Sequence, residues 1–540
     1  MKKRFLAILL TVVMVLALAV PAAAYTVKET KLDATWHYDT YVSSANAAHL
    51  VKTTHNGLYG YVNYQDIPVV QAKYTTLASF SENVAVATKD GAYVYVDTTG
   101  KEVITLGNAK EAYNFSCGLA RVVSPEGITY FIDHNGKSVF TCGANTADDF
   151  WSVGLARVKT PDGRYGLVNT QGVEVAHYWY SEIRPFSDGL AYFRNVNGYQ
   201  GFMNVYGVEV FRVSNTLRVG ADVQVGGPHG DYSNGMVIVE NINAPLTARI
   251  GYLDLTGYQA VHCQYEEGED FAGNVARIKR AGKYGYIDKA NKYTVQPRYD
   301  WLDVGTGLVR AMINKSDVVT GGPALGLEGN HVIVTNTTTV TAPYDHWGFV
   351  NVQNTNPILD DVRVPLVYTY ARRFGGDNLA YVESGSAKGF VNTVGKLVVN
   401  DGGYYDTMGD SYEGKAWVVK NGKWGYIGTT AGGRLVIPMV YDYDGIKSYP
   451  SITMNRTTPG YTYTDNSKYA NFKNGVAVAC FGNVLTETGA GLDTGRYGII
   501  NNAGTWLTAN WYDWVDEIIY ADRVALAQYG GGNKIRFVFY

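Results

Sequence analysis

The chain has 540 residues, of which 46% are apolar, and a formal net charge of −3. This length and apolar content are sufficient for a large buried core, and the slightly acidic balance disfavours nucleic acid as a partner, since phosphate binding needs a basic surface. Glycine (61 residues) and tyrosine (44 residues) are abundant, and helical periodicity is rarely sustained. This composition favours many short strands joined by tight turns.

The N-terminus has the pattern of a secretory signal peptide. Lys2, Lys3 and Arg4 precede an apolar run over residues 5–20, and Ala22-Ala23-Ala24 offers a cleavage site. The alternative is an uncleaved membrane anchor, but the run is shorter than the ~20 residues that a spanning helix needs. We therefore predict a signal peptide at 1–24 and a mature domain at 25–540, secreted or cell-wall associated, with no membrane span after signal removal.

Four cysteines are present, at positions 117, 142, 263 and 480, and no Cys-x-x-Cys occurs. Two interpretations stay open: small apolar side chains in the core, or one disulfide in an exported chain. The nine histidines show no pair at metal-ligand spacing. We predict no cofactor and no metal.

One short pattern returns along nearly the whole chain. At residues 281–288 it reads Ala-Gly-Lys-Tyr-Gly-Tyr-Ile-Asp: a turn glycine, an aromatic residue followed by Gly, a short apolar strand, then Asp or Asn. Most copies are about 35 residues apart, which is typical of repeat proteins. The final residue of each copy lies at Asn63, Asp97, Asp133, Asn169, Asn204, Asp254, Asp288, Asn351, Asn392, Gly428 and Asn501. The segment 534–540 reads as a twelfth, truncated copy.

Each unit is predicted to contain three strands, which we call A, B and C. Strand A resembles residues 307–311, strand B contains the aromatic-Gly pair, and a tight turn leads to strand C. Asp or Asn at the first turn position caps the turn through its side chain, and Gly three residues later takes a positive φ. The turns that fit this description begin at Asp97, Asp133, Asn169, Asp254, Asn392 and Asn501.

Strand A alternates, with Leu119, Arg121 and Val123 on one side and Ala120 and Val122 on the other. The small Ala suits close packing of one sheet on the next. The Gly after the strand B aromatic is expected to let another backbone approach.

These linked elements resemble the WG-repeat family of exported bacterial proteins, tandem β-repeats named for a Trp-Gly pair in each unit. The resemblance covers about residues 36 to 540. The pair is kept at Trp347-Gly348 and Trp424-Gly425, whereas Tyr93-Val94 and Tyr130-Phe131 lack the glycine. Tyr replaces Trp at Tyr59-Gly60, Tyr165-Gly166, Tyr284-Gly285 and Tyr497-Gly498. The resemblance implies a repeat scaffold rather than a particular chemistry.

The predicted fold is all-β: a curved tandem array of about twelve three-stranded antiparallel β-meander repeats. The alternative is propeller-like rings, such as two six-unit rings meeting near residues 265–298, because a single ring of twelve exceeds the usual 4–8 blades. The chain ends on a strand B, and residues 25–31 could supply a strand C. We therefore predict that the two termini complete one unit. Insertions interrupt several units, and in repeat proteins they tend to lie on one rim.

No strong catalytic motif is present, so we predict that the protein is not an enzyme. The candidate binding residues are aromatic side chains outside the repeated pattern, because sugars stack on exposed Trp and Tyr. They are Trp151, Tyr178, Trp179, Trp301, Trp511 and Trp514. Most other tyrosines are interpreted as core residues of the repeats.

A second candidate set is the row of strand A arginines at Arg121, Arg157, Arg277 and Arg310. Stacked units would align them, and one hypothesis is that the row contacts an anionic wall polymer. The alternative is a solvated face on which each arginine pairs with a neighbouring Asp or Glu.

The sequence therefore predicts an exported, monomeric, non-enzymatic scaffold that binds a cell-surface or extracellular polymer (glycan or cell wall) or a protein. The alternatives are a protein–protein interaction platform and a wall-active hydrolase whose site lies in the insertions.

Overall fold

The protein is described by a computed structural model that covers most of the repeat region. The described residues are 28–29, 36–38, 50–63, 67–220, 230–313, 324–328, 331–335, 346–353, 361–442, 471–481, 496–508, 514–519, 524–529 and 534–539. They contain 47 strands and no helix, which confirms the all-β prediction. The predicted signal peptide at 1–24 and Trp511 lie outside these residues.

The strands are short, mostly four to seven residues, and follow one another without other regular structure. The first sixteen are β1 (Lys28–Glu29), β2 (Trp36–Tyr38), β3 (Leu50–His55), β4 (Leu58–Asn63), β5 (Pro68–Tyr74), β6 (Thr76–Leu77), β7 (Val84–Lys89), β8 (Ala92–Asp97), β9 (Glu102–Leu106), β10 (Glu111–Ser116), β11 (Leu119–Val123), β12 (Thr129–Ile132), β13 (Ser138–Thr141), β14 (Thr146–Ala147), β15 (Leu155–Lys159) and β16 (Tyr165–Asn169). The next sixteen are β17 (Glu174–Ile183), β18 (Leu190–Asn195), β19 (Gln200–Asn204), β20 (Glu209–Val213), β21 (Leu217–Val219), β22 (Met236–Asn241), β23 (Ile250–Asp254), β24 (Val261–Tyr265), β25 (Glu267–Gly268), β26 (Val275–Arg280), β27 (Lys283–Asp288), β28 (Tyr293–Tyr299), β29 (Trp301–Leu302), β30 (Leu308–Ile313), β31 (Ala324–Glu328) and β32 (His331–Thr335). The last fifteen are β33 (His346–Asn351), β34 (Asp361–Tyr368), β35 (Tyr370–Phe374), β36 (Leu379–Ser384), β37 (Ala387–Asn392), β38 (Leu397–Asn400), β39 (Thr407–Met408), β40 (Lys415–Lys420), β41 (Lys423–Gly428), β42 (Arg434–Asp442), β43 (Val476–Phe481), β44 (Arg496–Asn501), β45 (Trp514–Ile519), β46 (Val524–Tyr529) and β47 (Lys534–Phe539).

The strands form twelve copies of one antiparallel unit, as the repeats predicted. A complete unit has four strands rather than three, because a short edge strand pairs with strand A on the side away from strand B. In chain order the units are β2–β5, β6–β9, β10–β13, β14–β17, β17–β20, β21–β24, β25–β28, β29 with β30, β33 and β34, β35–β38, β39–β42, β43 with β44, and β45–β47 with β1. We number them units 1 to 12. Units 4 and 5 share β17 and so form one seven-stranded sheet.

The glycine of strand B allows strand C to bulge toward it. At Gly285, for example, an added Cβ would lie 2.6 Å from the Val295 carbonyl oxygen. The B–C register shifts at this glycine in units 1, 4, 6, 7, 8 and 10. In units 2 and 3, where Val94 and Tyr130 replace the glycine, pairing continues in register at this place. A backbone does approach this glycine, but it is strand C of the same sheet rather than the neighbouring sheet that the pattern predicts.

The glycine that closes the B–C turn has two functions. All six predicted turn glycines have φ between 75° and 86°. Several also pack directly on strand C of the preceding unit: a Cβ at Gly100 would clash with the Val69 carbonyl oxygen, and one at Gly257 with the ring of Phe211. The turn therefore sets both the hairpin and the distance between sheets.

The core lies between consecutive sheets. Ten buried clusters occupy the ten interfaces from units 1–2 to units 10–11, each built from residues of two neighbouring units. Strand A is buried on both faces. In unit 3, Ala120 and Val122 belong to the cluster shared with unit 2, and Leu119 belongs to the cluster shared with unit 4. The cluster of units 6 and 7 continues across residues 265–298, so the array has no break there.

Polar bonds repeat at the same interfaces. Buried strand B tyrosines donate to a carbonyl oxygen of the next unit: Tyr95 to Tyr113 at 2.7 Å, and Tyr252 to Glu269 at 2.7 Å. The equivalent bonds from Tyr61 and Tyr286 reach Ala78 and Asp303. Units 1, 2, 6 and 7 are thus linked to the next unit by directional bonds as well as by apolar packing.

The twelfth unit joins the two ends of the array. Strand β1 pairs antiparallel with β47, with Lys28 opposite Phe539 and Glu29 opposite Val538. In this sheet β46 is strand A, β47 is strand B and β1 is strand C. The prediction that the termini complete one unit is confirmed.

The antiparallel order places all A–B connections at one end of the sheets, the hairpin rim, and all B–C turns at the other end, the turn rim. Three insertions lengthen A–B hairpins, after Glu240, Ile313 and Phe481. A fourth lies between Asn351 and Asp361, in a B–C turn. Three of the predicted insertions therefore lie on the hairpin rim, and two do not: the one in this turn and the one at 212–233, which lies largely between the edge strand β21 and strand A β22 of unit 6. The insertion at 443–470 lies outside the described residues. The expectation that the insertions share one rim is met only in part. The described residues hold no helix long and apolar enough to cross a membrane.

Candidate binding surface

Exposed aromatic side chains are concentrated in units 4 to 6. Among the described residues, five Trp or Tyr side chains are exposed: Trp179, Tyr199, Tyr206, Tyr258 and Tyr404. Four of these five lie between residues 173 and 258. Because large apolar side chains are normally buried, this grouping marks one region of the array as a candidate interaction surface.

Trp179 and Tyr199 lie on the hairpin rim, where units 4 and 5 share β17. The Val196 amide donates to the Trp179 carbonyl at 3.0 Å, which places the hairpin of unit 5 beside Trp179. The hairpin is held by Asn195, whose side-chain oxygen accepts the Tyr199 amide at 3.0 Å. Trp179 is 52% exposed, Val196 51% and Tyr199 47%. We call these three residues the rim cluster.

Polar side chains surround the rim cluster. The His177 ring contacts the Trp179 ring edge to face at 5.2 Å, and His177 also contacts the Glu174 carboxylate. The Arg212 guanidinium lies over the Tyr199 ring at 4.9 Å and bonds Glu209 at 3.0 Å. Apolar ring faces beside exposed hydrogen-bonding groups are the chemistry that a sugar or a polar polymer requires.

The rim continues into unit 6 through hydrogen bonds. The Gln200 side chain donates to the Leu217 carbonyl, and the Ile242 amide donates to the Thr216 carbonyl at 3.0 Å. Ile242 and Leu246, in the lengthened hairpin of unit 6, are exposed. The apolar surface therefore extends across the hairpins of units 5 and 6.

The other predicted aromatic residues lie elsewhere. Trp151 is half-buried, with its ring 6.0 Å from Phe186 in the core of units 4 and 5. Trp301 is half-buried, and its Nε1 donates to Asp303 at 3.0 Å. Tyr178 packs on the core of units 3 and 4, and Trp514 lies on β45. The structure thus brings Trp179 to an exposed surface and does not bring Trp151, Tyr178 and Trp301 to it.

The four predicted arginines each form an ion pair. Arg121 bonds Asp149 and Arg157 bonds Asp148, each at 2.8 Å. Both aspartates directly follow β14, the edge strand of unit 4. Arg277 bonds Glu269 and Arg310 bonds Asp303, each at 2.7 Å.

Three of these arginines also donate to the edge strand of the next unit. Their acceptors are the carbonyl oxygens of Ile183 for Arg157, Leu302 for Arg277 and Ala371 for Arg310. Each arginine does pair with a neighbouring carboxylate, as in the alternative, but Arg277 and Arg310 are buried rather than solvated, and the row links consecutive sheets.

The cysteines and possible metal ligands form no site in the described part of the chain. Cys117, Cys142 and Cys263 are unpaired thiols, and burial raises the pKa of Cys142 to about 11. No cluster of three or more His, Cys, Asp or Glu side chains suited to a metal occurs among the described residues. The cysteines whose side chains are described thus fit the interpretation as partly buried fillers.

Sequence reasoning missed Tyr199 and Val196. Tyr199 occupies the position before strand B and was counted among the repeat tyrosines. The signal that distinguishes it is its neighbour: unit 5 begins strand B with Gln200 instead of an aromatic residue. The aromatic side chain is shifted by one position, which in a strand turns it to the other face.

The family description "WG containing repeat" matches six segments, residues 59–93, 95–124, 165–199, 250–284, 284–314 and 389–424. Most matches begin in a strand B and end at the next one, so the sequence repeat takes strands B and C from one sheet and the edge strand and strand A from the next. No curated protein matches the chain.

Three solved structures are among those that the chain matches. BamB from Moraxella catarrhalis is 15% identical, with 53% of this chain and 92% of that chain covered, at a TM-score of 0.24. A eukaryotic initiation factor is 10% identical, with coverages of 64% and 93% and a TM-score of 0.27. The C-terminal WD40 domain of Sif2 is 10% identical, with coverages of 48% and 82% and a TM-score of 0.23. These superpositions are loose, and the strand pairing of the chain itself defines its fold.

The six matched segments, the recurring aromatic-Gly pair and the twelve equivalent units agree with one another, and the chain belongs to the WG-repeat family.

Proposed function

We propose that this protein is a non-enzymatic binding scaffold whose hairpin rim at units 4 to 6 binds a glycan polymer. The observation that carries the proposal is the rim cluster: Trp179 and Tyr199 are about half exposed on neighbouring hairpins of a rigid sheet array. Leaving large aromatic faces in water is unfavourable unless a partner covers them.

A glycan fits this surface better than a purely apolar partner. Sugar rings present C–H faces that pack on aromatic rings and hydroxyl groups that need hydrogen bonds. His177 and Arg212 supply donors beside the rings: His177 contacts the Trp179 ring, and Arg212 lies over the Tyr199 ring. The repeated hairpins extend the surface into unit 6 through Ile242 and Leu246, which suits a chain-like ligand more than a small molecule.

The apolar N-terminal segment of the sequence supports an exported protein, secreted or associated with the cell wall, where glycans are abundant. The repeat family is one of scaffolds, and this agrees with a binding role. The proposal therefore joins an extracellular location to a polymer-binding rim.

The test is binding of the mature chain to purified cell-wall polysaccharide and to peptidoglycan, measured by co-sedimentation and calorimetry. The double variant Trp179→Ala/Tyr199→Ala should weaken binding by about tenfold or more, because two ring faces lose their partner. Tyr404→Ala is the matched control, since Tyr404 is an exposed tyrosine of unit 9, and it should bind as the wild type does.

Equal loss in Tyr404→Ala, or unchanged binding in the double variant, would contradict the rim assignment. Absence of binding to both polymers, with the fold intact by circular dichroism, would remove the glycan and leave a protein partner as the alternative.

A further inference from the structure

A second exposed apolar surface lies on the turn rim, at the opposite end of the sheets. It occupies one repeat position, four residues after the turn-capping Asp or Asn. In units 4, 5 and 6 this position is Val173, Val208 and Tyr258, which are 58%, 56% and 66% exposed. In each unit the capping residue's amide donates to the carbonyl of this residue, so the three positions are structurally equivalent.

The row is continuous from unit 4 to unit 6. The turn at Gly207 packs on Val175 of the preceding unit, and the turn at Gly257 packs on Phe211. Tyr206 and Leu255, within those turns, are also exposed, and Tyr206 reaches 78%. We call Val173, Tyr206, Val208, Leu255 and Tyr258 the turn-rim patch.

Lysines flank the patch on both sides at the same repeat position. Units 2 and 3 place Lys101 and Lys137 there, and unit 7 places Lys292; all three are exposed. Their carbonyls accept the same capping bond, from Asp97, Asp133 and Asp288. The row thus reads Lys, Lys, Val, Val, Tyr, Lys across six consecutive units.

Acidic groups are fewer at the centre of the row than at its flanks. The caps of units 4 and 5 are the neutral Asn169 and Asn204, whereas units 2, 3, 6 and 7 use Asp. Of the two carboxylates nearest the central valines, Glu174 contacts His177 and Glu209 pairs with Arg212. A centre of apolar and tyrosine side chains, whose one carboxylate cap, Asp254, is bonded to amides of its own turn, lies between lysine-bearing flanks and is complementary to a surface that is apolar within and anionic at its boundary.

We propose that the turn-rim patch docks the array peripherally on an anionic lipid surface. Tyr206 and Tyr258 have the amphipathic rings that settle at the level of lipid headgroups, and the protruding turns carry them outward from the sheets. The flanking lysines attract anionic headgroups, and this attraction decreases with distance over about one Debye length. Since the patch and the rim cluster lie at opposite ends of the strands, an array docked by its turn rim leaves its hairpin rim open to a polymer.

The experiment is co-sedimentation of the mature chain with vesicles of phosphatidylcholine alone and of phosphatidylcholine mixed with phosphatidylglycerol. The wild type should bind the mixed vesicles, and Tyr206→Ser/Tyr258→Ser should reduce the partition coefficient about tenfold. Lys137→Gln/Lys292→Gln should also reduce binding to the mixed vesicles, and added salt should have the same effect.

Val394→Ser is the matched control, because Val394 occupies in unit 9 the turn position that Tyr206 occupies in unit 5, and it is 69% exposed. It should bind vesicles as the wild type does, and Trp179→Ala/Tyr199→Ala should do so as well. Vesicle binding and polysaccharide binding therefore succeed or fail separately.

No binding to the mixed vesicles, or binding unchanged by Tyr206→Ser/Tyr258→Ser, would overturn the proposal. A second copy of the chain is the other partner that could cover the patch, and size-exclusion chromatography with light scattering tests for it. If the wild type is a dimer and Tyr206→Ser/Tyr258→Ser is a monomer, the patch is a contact between two copies. That result would overturn the lipid assignment.

Discussion

At the scale of single residues, glycine permits the bulge between strands B and C but does not by itself produce it, since Gly201 and Gly389 pair in register. Every B–C bulge beside the aromatic lies opposite a glycine in the described sheets, and the two units with Val94 and Tyr130 at that position have none. At Gly285 a Cβ would meet the Val295 carbonyl oxygen at 2.6 Å and the Pro297 nitrogen at 2.7 Å, both backbone atoms that cannot move alone.

Gly285→Ala is therefore expected to lower the free energy of unfolding by about 1–3 kcal/mol, as overpacking does. Gly107→Ala is the control, because a Cβ there meets nothing within 4 Å and its φ is not in the left-handed region. Chemical denaturation of both variants measures the difference. Equal stability of the two variants would mean that the bulge does not need glycine.

At the scale of elements, three strand A arginines join one sheet to the next by donating to a carbonyl of the next edge strand, and each pairs with a carboxylate of its own unit. The strongest case is Asp303, 3% exposed, which accepts Arg310 Nε at 2.7 Å and Arg373 Nε at 2.9 Å. Burial by itself would raise the pKa of Asp303, but the bonds and charges of Arg310 and Arg373 lower it below its usual value. The unfolded chain therefore binds a proton at this carboxyl more readily than the folded chain does.

It follows that this ion pair stabilises the fold above the unfolded pKa, roughly pH 4, and that the contribution is lost as the pH falls through the folded pKa. Asp303→Asn should lower the free energy of unfolding at neutral pH by about 3–5 kcal/mol, because Arg310 then keeps a buried charge without its partner. The free energy of unfolding of this variant should also depend less steeply on pH, as measured by denaturation between roughly pH 2 and pH 6. Asp162→Asn, at an exposed pair, is the control. An unchanged pH slope in Asp303→Asn would contradict the assignment.

At the scale of the whole molecule, the array is joined by a sheet built from both ends of the chain. Because the sequence repeat is offset from the sheet, the last copies supply an edge strand, strand A and strand B, and only β1 supplies the missing strand C. Without β1, strand β47 would have an unpaired edge, which is a template for aggregation.

Deletion of residues 25–31 is therefore expected to lower the melting temperature, to speed amide exchange over β47 and to promote association. A chain lacking only residues 1–24 is the control and should keep the protection. Hydrogen exchange with mass spectrometry, together with thermal unfolding, measures both effects. Equal protection of β47 in the two chains would show that pairing with β1 does not stabilise β47.

Local chemistry allowed much of this molecule to be predicted from its sequence. Several predicted features depend on contacts within one repeat: the turn glycines, their Asp or Asn caps, the close approach at Gly285 and the number of units. Because the pattern that encodes these contacts recurs along the chain, comparison of its copies is sufficient to detect them. The fourth strand was missed because an edge strand such as Thr76–Leu77 or Trp301–Leu302 has only two residues and no alternation to detect.

The sequence by itself determined the repeat, its turns and its family, because these follow from backbone conformation and short-range hydrogen bonding. Only the tertiary structure decided which aromatic residues are exposed. Trp151 and Trp301 sit where the next sheet covers them, whereas Trp179 lies at the shared strand β17, where units 4 and 5 form one continuous sheet. Exposure depends on how neighbouring sheets pack, and that information is spread over residues far apart in the chain.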